Sequence, residues 1–209
     1  MKAGVLGVVD GSFKAVDSVS ETVTEDDHEL ERCLVIDRVF SLPSGGMAFA
    51  GRAAAEELAD RTETSIEGGE IRVSEGTQTV TQYTEFVGVP GEFVAVDSGS
   101  GTFAFDLIGA ETNTSIERAT VDLDAFFARR EAATPWKAGF YGAGENAVTG
   151  VFHGEDLRRT HDLQATLDDS NLNQLGLTYA YDGVDVKMTA ARSGYVEVYR
   201  PSAFDSGRY

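Results

Sequence analysis

The chain has 209 residues, of which 35 are acidic and 17 basic, giving a formal net charge of −18 and a pI near 4.4. Hydrophobic residues make up 42% of the chain and include 12 Phe and 7 Tyr, which excludes an intrinsically disordered protein. A single cysteine, Cys33, excludes an intramolecular disulfide and a cysteine-based metal site.

Arginine is much commoner than lysine among the basic residues. The only lysines are Lys2, Lys14, Lys137 and Lys187. Acid excess with few lysines is typical of a surface in concentrated salt, where a Debye length of about 3 Å at 1 M screens self-repulsion. We therefore expect a protein of a salt-loving organism; an ordinary acidic mesophilic protein is the alternative. Residues 4–9 are too short an apolar run for a signal peptide or membrane span, so we expect a soluble, cytoplasmic protein.

The first predicted strand covers residues 4–9 (GVLGVV) and is followed by the Asp10-Gly11 turn. Residues 12–24 alternate loosely and suit a strand of undefined register. Residues 33–40 (CLVIDRVF) are β-branched and apolar and predict another strand, closed by Pro43 and a Ser-Gly-Gly breaker.

Residues 47–61 (MAFAGRAAAEELADR) predict the first of two principal helices. They are rich in Ala and acid, and Met47, Ala50, Ala54 and Leu58 recur at spacings of three and four. Gly51 weakens this helix by about 1 kcal/mol relative to Ala.

The central part of the chain predicts β structure again over residues 70–108, including a hairpin of Phe93 to Val96 with Phe103 to Ile108. The second principal helix is predicted over residues 121–133, with Thr120 as its cap and Leu123, Phe126 and Phe127 as its buried stripe. Residues 147–154 predict a further strand.

The C-terminal third carries the clearest local signal. Asp182-Gly183 separates two alternating segments, which is typical of a type I′ hairpin, and a strand over residues 194–200 follows. We expect a three-stranded meander here. The hairpin connections favour an α+β fold, mostly antiparallel, with subdomains at 1–112 and 113–209 or a single compact domain.

Residues 153–162 (HGEDLRRTHD) hold the densest set of chemically capable side chains. His153, Asp156, His161 and Asp162 are candidate ligands for a divalent metal. The His161-Asp162 pair resembles the ligand dipeptide of HD-type phosphohydrolases. Those enzymes present their ligands from packed helices, whereas this segment follows a predicted strand, so a solvated charged loop is the competing interpretation.

A second candidate is an aromatic, glycine-rich segment, in which Trp136, Tyr141 and Glu145 are candidate binding residues lining a pocket. A turn-rich loop with aromatic packing is the alternative. No phosphate loop is expected, because a helix precedes these glycines and a strand follows them, the reverse of the required order.

Two classes of function remain. The first hypothesis is a non-catalytic interaction or regulatory protein, in which Tyr179, Tyr181, Tyr195 and Tyr199 form either a binding face or core. The second is a metal-dependent hydrolase using residues 153–162; apart from that metal, no cofactor is predicted. A protein partner or self-association is favoured over nucleic acid, because the only basic pairs, Arg129-Arg130 and Arg158-Arg159, lie near acids. A DNA-associated role is a minor alternative.

Overall fold

The computed structural model describes residues 2–42, 45–130, 132–142, 149–159 and 170–200. Over these ranges the chain forms twelve strands of one antiparallel sheet and two helices. The strands are β1 (Ala3–Asp10), β2 (Val19–Glu25), β3 (His28–Ser41), β4 (Met47–Glu67), β5 (Glu70–Val89), β6 (Phe93–Val96), β7 (Ser115–Arg118), β8 (Thr134–Gly142), β9 (Thr149–His153), β10 (Ser170–Tyr181), β11 (Val184–Ala191) and β12 (Tyr195–Arg200). The helices are α1 (Phe103–Thr112) and α2 (Leu123–Ala128).

The strand order in the sheet is β2-β3-β4-β5-β6-β1-β12-β11-β10-β8-β9, and β7 pairs with β1. The prediction of a mostly antiparallel sheet is confirmed. The strands β10, β11 and β12 pair in succession, and Asp182 and Gly183 take positive φ angles of 49° and 76° in the turn between β10 and β11. Neither described helix is long and apolar enough to cross a membrane.

Strand β1 joins the two halves of this sheet. Along one edge it pairs with β6, from Val5 opposite Val96 to Val8 opposite Phe93. It also pairs with β12 through residues 3–5 and with β7 through residues 7–10. Every residue of β1 therefore has a partner on at least one side.

The two hydrophobic cores lie on opposite faces of the sheet. Val5 is directly opposite Tyr195, so both point to one face, where they pack with Phe105 and Ile108 of α1 in the first core. Val196 and Val198 of β12 point the other way and pack against the second core, which contains Leu123 of α2. The sheet therefore buries one face on the β1 side and the opposite face from β12 onwards. The predicted division into subdomains near residue 112 stays a prediction.

The predicted helix over residues 47–61 is wrong, because this segment is the first part of β4. Ala helix propensity is a weak preference that tertiary pairing overrides, and β4 is paired with β3 on one side and β5 on the other. Phe49 and Ala53 are buried on the first-core face at strand periodicity. Between them, a Cβ on Gly51 would lie 2.1 Å from the Val35 carbonyl oxygen. The sheet therefore has no room for a side chain at position 51.

Two further expectations are corrected. The predicted helix 121–133 is helical only over Leu123–Ala128, and its cap is Asp122, whose Oδ1 accepts the Ala125 N–H at 2.9 Å. Residues 103–108, predicted as a strand, belong to α1. Periodicity does not separate a short apolar strand from a buried helix, and here Ala104, Phe105, Leu107 and Ile108 are all buried.

We expect Gly51→Ala to lower the free energy of unfolding by about 2 kcal/mol or more, because the added methyl group overlaps the Val35 carbonyl and the Phe86 ring. Urea denaturation measures this. The matched control is Gly76→Ala on β5, where nothing lies within 4 Å of the added Cβ. This control should be neutral or stabilising by up to about 1 kcal/mol. Equal stability of the two variants would contradict the assignment of residues 47–61 to a strand.

Candidate functional site

Only half of the predicted metal set falls within the described residues. His153 is the exposed last residue of β9, with its ring centroid 6.2 Å from that of Trp136. The Asp156 carboxylate lies 3.6 Å from Arg158 Nε and 3.4 Å from Arg159 Nε, so a metal there would compete with two guanidinium groups. His161 and Asp162 lie outside the described residues. Within the described ranges no three His, Cys, Asp or Glu side chains converge, and the four-residue metal site stays a prediction.

Trp136 is directed onto the first-core face of the sheet by a β-bulge. Gly176 of β10 is opposite Lys137, but the next residue, Leu177, is opposite Pro135, which leaves Trp136 as an extra residue in β8. A bulge of this kind turns two successive side chains towards the same face. The Trp136 ring lies over Gly176, where a Cβ would be only 2.7 Å from the indole Cε2.

A second bulge places Tyr199 beside this ring. Arg200 is opposite Lys187 and Val198 is opposite Met188, so Tyr199 is the extra residue in β12. The Tyr199 and Trp136 ring centroids are 5.6 Å apart at an interplanar angle of 78°, and Lys187 Nζ is 4.3 Å from the indole centroid. We call Trp136, His153, Lys187 and Tyr199 the Trp136 cluster.

Hydrogen bonds to Glu197 hold the tyrosine side of this cluster. The Tyr199 hydroxyl donates to Glu197 Oε2 at 2.9 Å, and the Tyr195 hydroxyl donates to the same oxygen at 3.5 Å. Burial, together with the Glu197 charge, raises the pKa of Tyr195. For Tyr199 the hydrogen bond from Thr189 lowers the pKa, but burial and Glu197 outweigh it, and the net pKa is raised. Both hydroxyls are therefore protonated donors at neutral pH.

The predicted pocket of Trp136, Tyr141 and Glu145 is not tested by this geometry. Trp136 and Tyr141 lie five residues apart on β8, about 17 Å along the strand, and Tyr141 is 38% exposed. Glu145 lies outside the described residues. The Trp136 Nε1 is buried and has no hydrogen-bond partner among the described atoms.

The four tyrosines proposed as a binding face are divided between the two faces. Tyr179 packs against the second core, beside α2, whereas Tyr195 packs against the first core. Tyr181 is 63% exposed at the end of β10, and Tyr199 belongs to the Trp136 cluster. No single tyrosine face results.

The most exposed feature of the fold is one that the sequence interpretation missed. Ala55 is the last β4 residue paired with β3. Beyond it, β4 and β5 continue as a two-stranded ribbon, residues 56–81, with twelve residue pairs. At the base of this ribbon Glu56 Oε2 accepts the Glu31 N–H at 2.9 Å. At about 3.4 Å per residue this ribbon extends about 40 Å. Every residue from 60 to 79 is exposed, and Gly68 and Gly69 form the turn at its tip with positive φ angles.

The two faces of the ribbon differ in chemistry. The charged face continues the first-core side of the sheet and carries two ion pairs, Arg61 with Glu63 and Arg72 with Glu67. The opposite face, which we call the threonine face, carries five threonines, Leu58, three carboxylates (Glu56, Asp60 and Glu75) and three exposed apolar side chains near the tip. These are Ile66, Ile71 and Val73, at 77%, 73% and 63% exposure, with Ile66 directly opposite Ile71.

A sequence signal for this ribbon exists. Gly68-Gly69 is a two-residue hairpin turn, and threonines recur at every second position at 62 and 64 and again at 77, 79 and 81. The Ala-rich residues 47–61 obscured it, because they suggested a helix where the first strand of the hairpin begins.

Comparison of the chain with protein-family models and with curated proteins found no match. The functional argument therefore depends on the geometry of the described residues.

We expect Gly176→Ala to displace the Trp136 ring, because the new methyl group would lie 2.7 Å from both the indole and the Lys137 Cβ. The free energy of unfolding should fall by about 1–3 kcal/mol. Trp136 is the only tryptophan, so its emission maximum reports its position directly, and it should shift in the variant. Gly76→Ala on the ribbon, where nothing lies within 4 Å of the added Cβ, is the control and should leave the emission unchanged. An unshifted spectrum in Gly176→Ala would contradict this arrangement.

Proposed function

We propose that this chain is a non-catalytic protein-interaction module whose binding element is the ribbon of residues 56–81. The observation that carries the proposal is the exposed pair Ile66 and Ile71 at the tip of a ribbon that no other described strand covers. An isolated two-stranded hairpin is marginally stable in water, and three or more strands or a packed face are normally needed. A partner that covers the threonine face would supply that packing.

The charge of the ribbon indicates the chemistry of this partner. It carries seven acidic side chains and two arginines, a net charge of −5. Complementarity then favours a protein with an apolar pocket for the tip, surrounded by basic side chains. Fully burying one isoleucine stabilises a complex by about 1.5–3 kcal/mol, so the tip supplies affinity while the acids guide orientation.

The negative charge of the ribbon disfavours two other binding partners, nucleic acid and a second copy of the chain. A phosphate backbone would be repelled by seven carboxylates, which disfavours nucleic acid as the ligand of the ribbon. A second copy of the chain would bring together two ribbons of −5 on proteins of −18, so self-association is less favourable than binding to a basic partner.

The metal-dependent hydrolase stays an alternative without support from the described half of its site. The Asp156 carboxylate is already paired with Arg158 and Arg159, and His153 lies against Trp136. Stoichiometric zinc or manganese in the purified protein, lost in a His153→Ala variant, would restore this alternative.

The proposal also explains the acid excess: it is an adaptation of a cytoplasmic protein to concentrated salt. The arginines support it, because several of them take part in exposed ion pairs rather than forming a basic surface. Surface carboxylates repel one another more strongly in dilute buffer, because little salt is present to screen their charges.

We expect the double variant Ile66→Ser/Ile71→Ser to lose partner binding at least tenfold while its melting temperature stays unchanged, because both side chains are exposed in the free chain. The measurement has two steps. Proteins cross-linked to the wild-type chain in a native lysate are identified, and the purified partner is then titrated against each variant.

The control is Ser65→Ala/Ser74→Ala on the charged face, which should bind like wild type. Equal affinity of the tip variant and wild type, or absence of any tip-dependent partner, would overturn the proposal. Sedimentation equilibrium covers the remaining outcome: a dimer abolished by the tip variant would mean that the ribbon binds a second copy instead of a basic protein.

We expect the melting temperature to rise between about 0.1 M and 3 M KCl, because the shorter Debye length reduces carboxylate repulsion in the folded chain. Differential scanning calorimetry measures it. Glycine betaine at matched osmolality, which has no net charge, controls for osmotic stabilisation. A melting temperature independent of KCl would contradict the salt adaptation.

A further inference from the structure

The outer edge of β5 is an open edge of the sheet within the described part of the chain. β5 pairs with β4 from Gly88 to Glu70, but it pairs with β6 only over residues 86–89. Among the described residues, positions 70–84 of β5 therefore have a paired strand on one side only. Such an edge presents backbone N–H and C=O groups that can form hydrogen bonds with an added strand.

The strand register shows which backbone groups face this open edge. The Asp97 N–H donates to the Glu85 carbonyl at 3.2 Å, so the carbonyl of Glu85 points away from β4. Backbone groups alternate between the two sides of a strand, and the pairing of β4 with β5 has no register shift. The N–H and C=O groups of Thr77, Thr79 and Thr81 therefore point to the open edge, while their side chains lie on the threonine face.

The two edges of the ribbon differ in charge. The β4 edge, residues 56–67, carries six charged side chains among twelve residues, and the Glu56 side chain accepts the Glu31 N–H at its base. The β5 edge carries no charged side chain over residues 76–82 (GTQTVTQ). Natural proteins commonly place charged side chains on an edge to prevent the addition of a strand. The β5 edge lacks this protection, and its threonines and valine favour strand pairing.

Carboxylates surround this uncharged run. Glu75 precedes it and Glu85 lies just beyond it, and Glu56, Glu57 and Asp60 lie on the neighbouring strand β4. A segment with lysine or arginine side chains is therefore attracted to this edge. A second copy of the chain would bring a second set of carboxylates to the same place, which makes it a less favourable occupant.

A third strand would also stabilise the ribbon itself. Two strands alone are marginally stable in water, whereas three strands with a packed face are sufficient. When a peptide adds to a sheet edge, the backbone hydrogen bonds supply affinity and the alternate side chains supply specificity. Here the alternate side chains would lie beside the threonine face.

We propose that the basic partner of the ribbon adds an extended segment as a third strand along the open edge of β5, with hydrogen bonds to the backbone of Thr77, Thr79 and Thr81. This inference rests on the proposed function, because it describes how the partner binds the same ribbon. The tip, Ile66 and Ile71, supplies apolar contacts, and the edge supplies backbone hydrogen bonds.

The first test uses a synthetic peptide of alternating threonine and valine with two lysines at each end, added to the full chain. Amide hydrogen exchange is followed by NMR. We expect exchange at Thr77, Thr79 and Thr81 to slow at least tenfold at saturation, because each N–H gains an acceptor. A matched peptide with glutamates in place of the lysines should bind at least tenfold more weakly. Unchanged exchange with the lysine peptide, or equal binding of the two peptides, would overturn the proposal.

The second test changes the edge itself. Thr79→Pro removes the central N–H of the open edge, where proline is tolerated because the N–H faces solvent. The matched control, Thr79→Ala, removes the same side chain but keeps the N–H. We expect affinity for the lysine peptide to fall at least tenfold in Thr79→Pro and to stay like wild type in Thr79→Ala. Equal affinity of the two variants would contradict strand addition. If faster exchange at Gln78 and Val80 shows that proline disturbs the ribbon, the exchange result in the wild-type chain decides.

Failure of this inference can be distinguished from failure of the proposed function. The Ile66→Ser/Ile71→Ser variant keeps the open edge, so the lysine peptide should still slow exchange there, even if no tip-dependent partner exists. A partner that is lost in the tip variant but binds Thr79→Pro like wild type would overturn strand addition and leave the proposed function intact. Slow exchange at Thr77, Thr79 and Thr81 without peptide would mean that the edge is already occupied, by a second copy if it increases with protein concentration, and would also overturn this inference.

Discussion

The pairing of β1 with β6 on one side and with β12 and β7 on the other is the constraint on which the rest of the structure depends. Val5 takes part in both the β6 and β12 ladders and is almost fully buried. Through this strand one sheet serves two cores on opposite faces, covered by α1 and α2 respectively. A sheet built in this way leaves part of each face without a helix.

The functional surfaces follow from those uncovered regions. On the first-core face of the C-terminal half, two bulges bring Trp136 and Tyr199 together over Gly176, with Lys187 against the indole. On the other half of the sheet, β4 and β5 extend beyond the ends of the neighbouring strands and form the ribbon. One of these surfaces therefore lies where the sheet has no helix over it, and the other lies where β4 and β5 have no neighbouring strand.

Local patterns anticipated part of this arrangement. The alternating segments around Asp182-Gly183 indicated paired strands where β10 and β11 lie. The helix over residues 47–61 failed because alanine propensity is decided by context: Phe49 and Ala53 are buried between two neighbouring strands. Neither bulge has a local sequence signature, since each is defined only by the register of a partner strand.

The sequence by itself determined the charge of −18, the scarcity of lysine, the single tryptophan and the predominance of antiparallel strands, because these depend on composition and short-range alternation. Tertiary structure alone decided which face each half of the sheet buries and how far β4 and β5 extend. It also decided that Arg130 meets Tyr179, nearly fifty residues away in the chain. The physical reason is that these contacts follow from strand order and register, which are set by long-range hydrogen bonding and core packing.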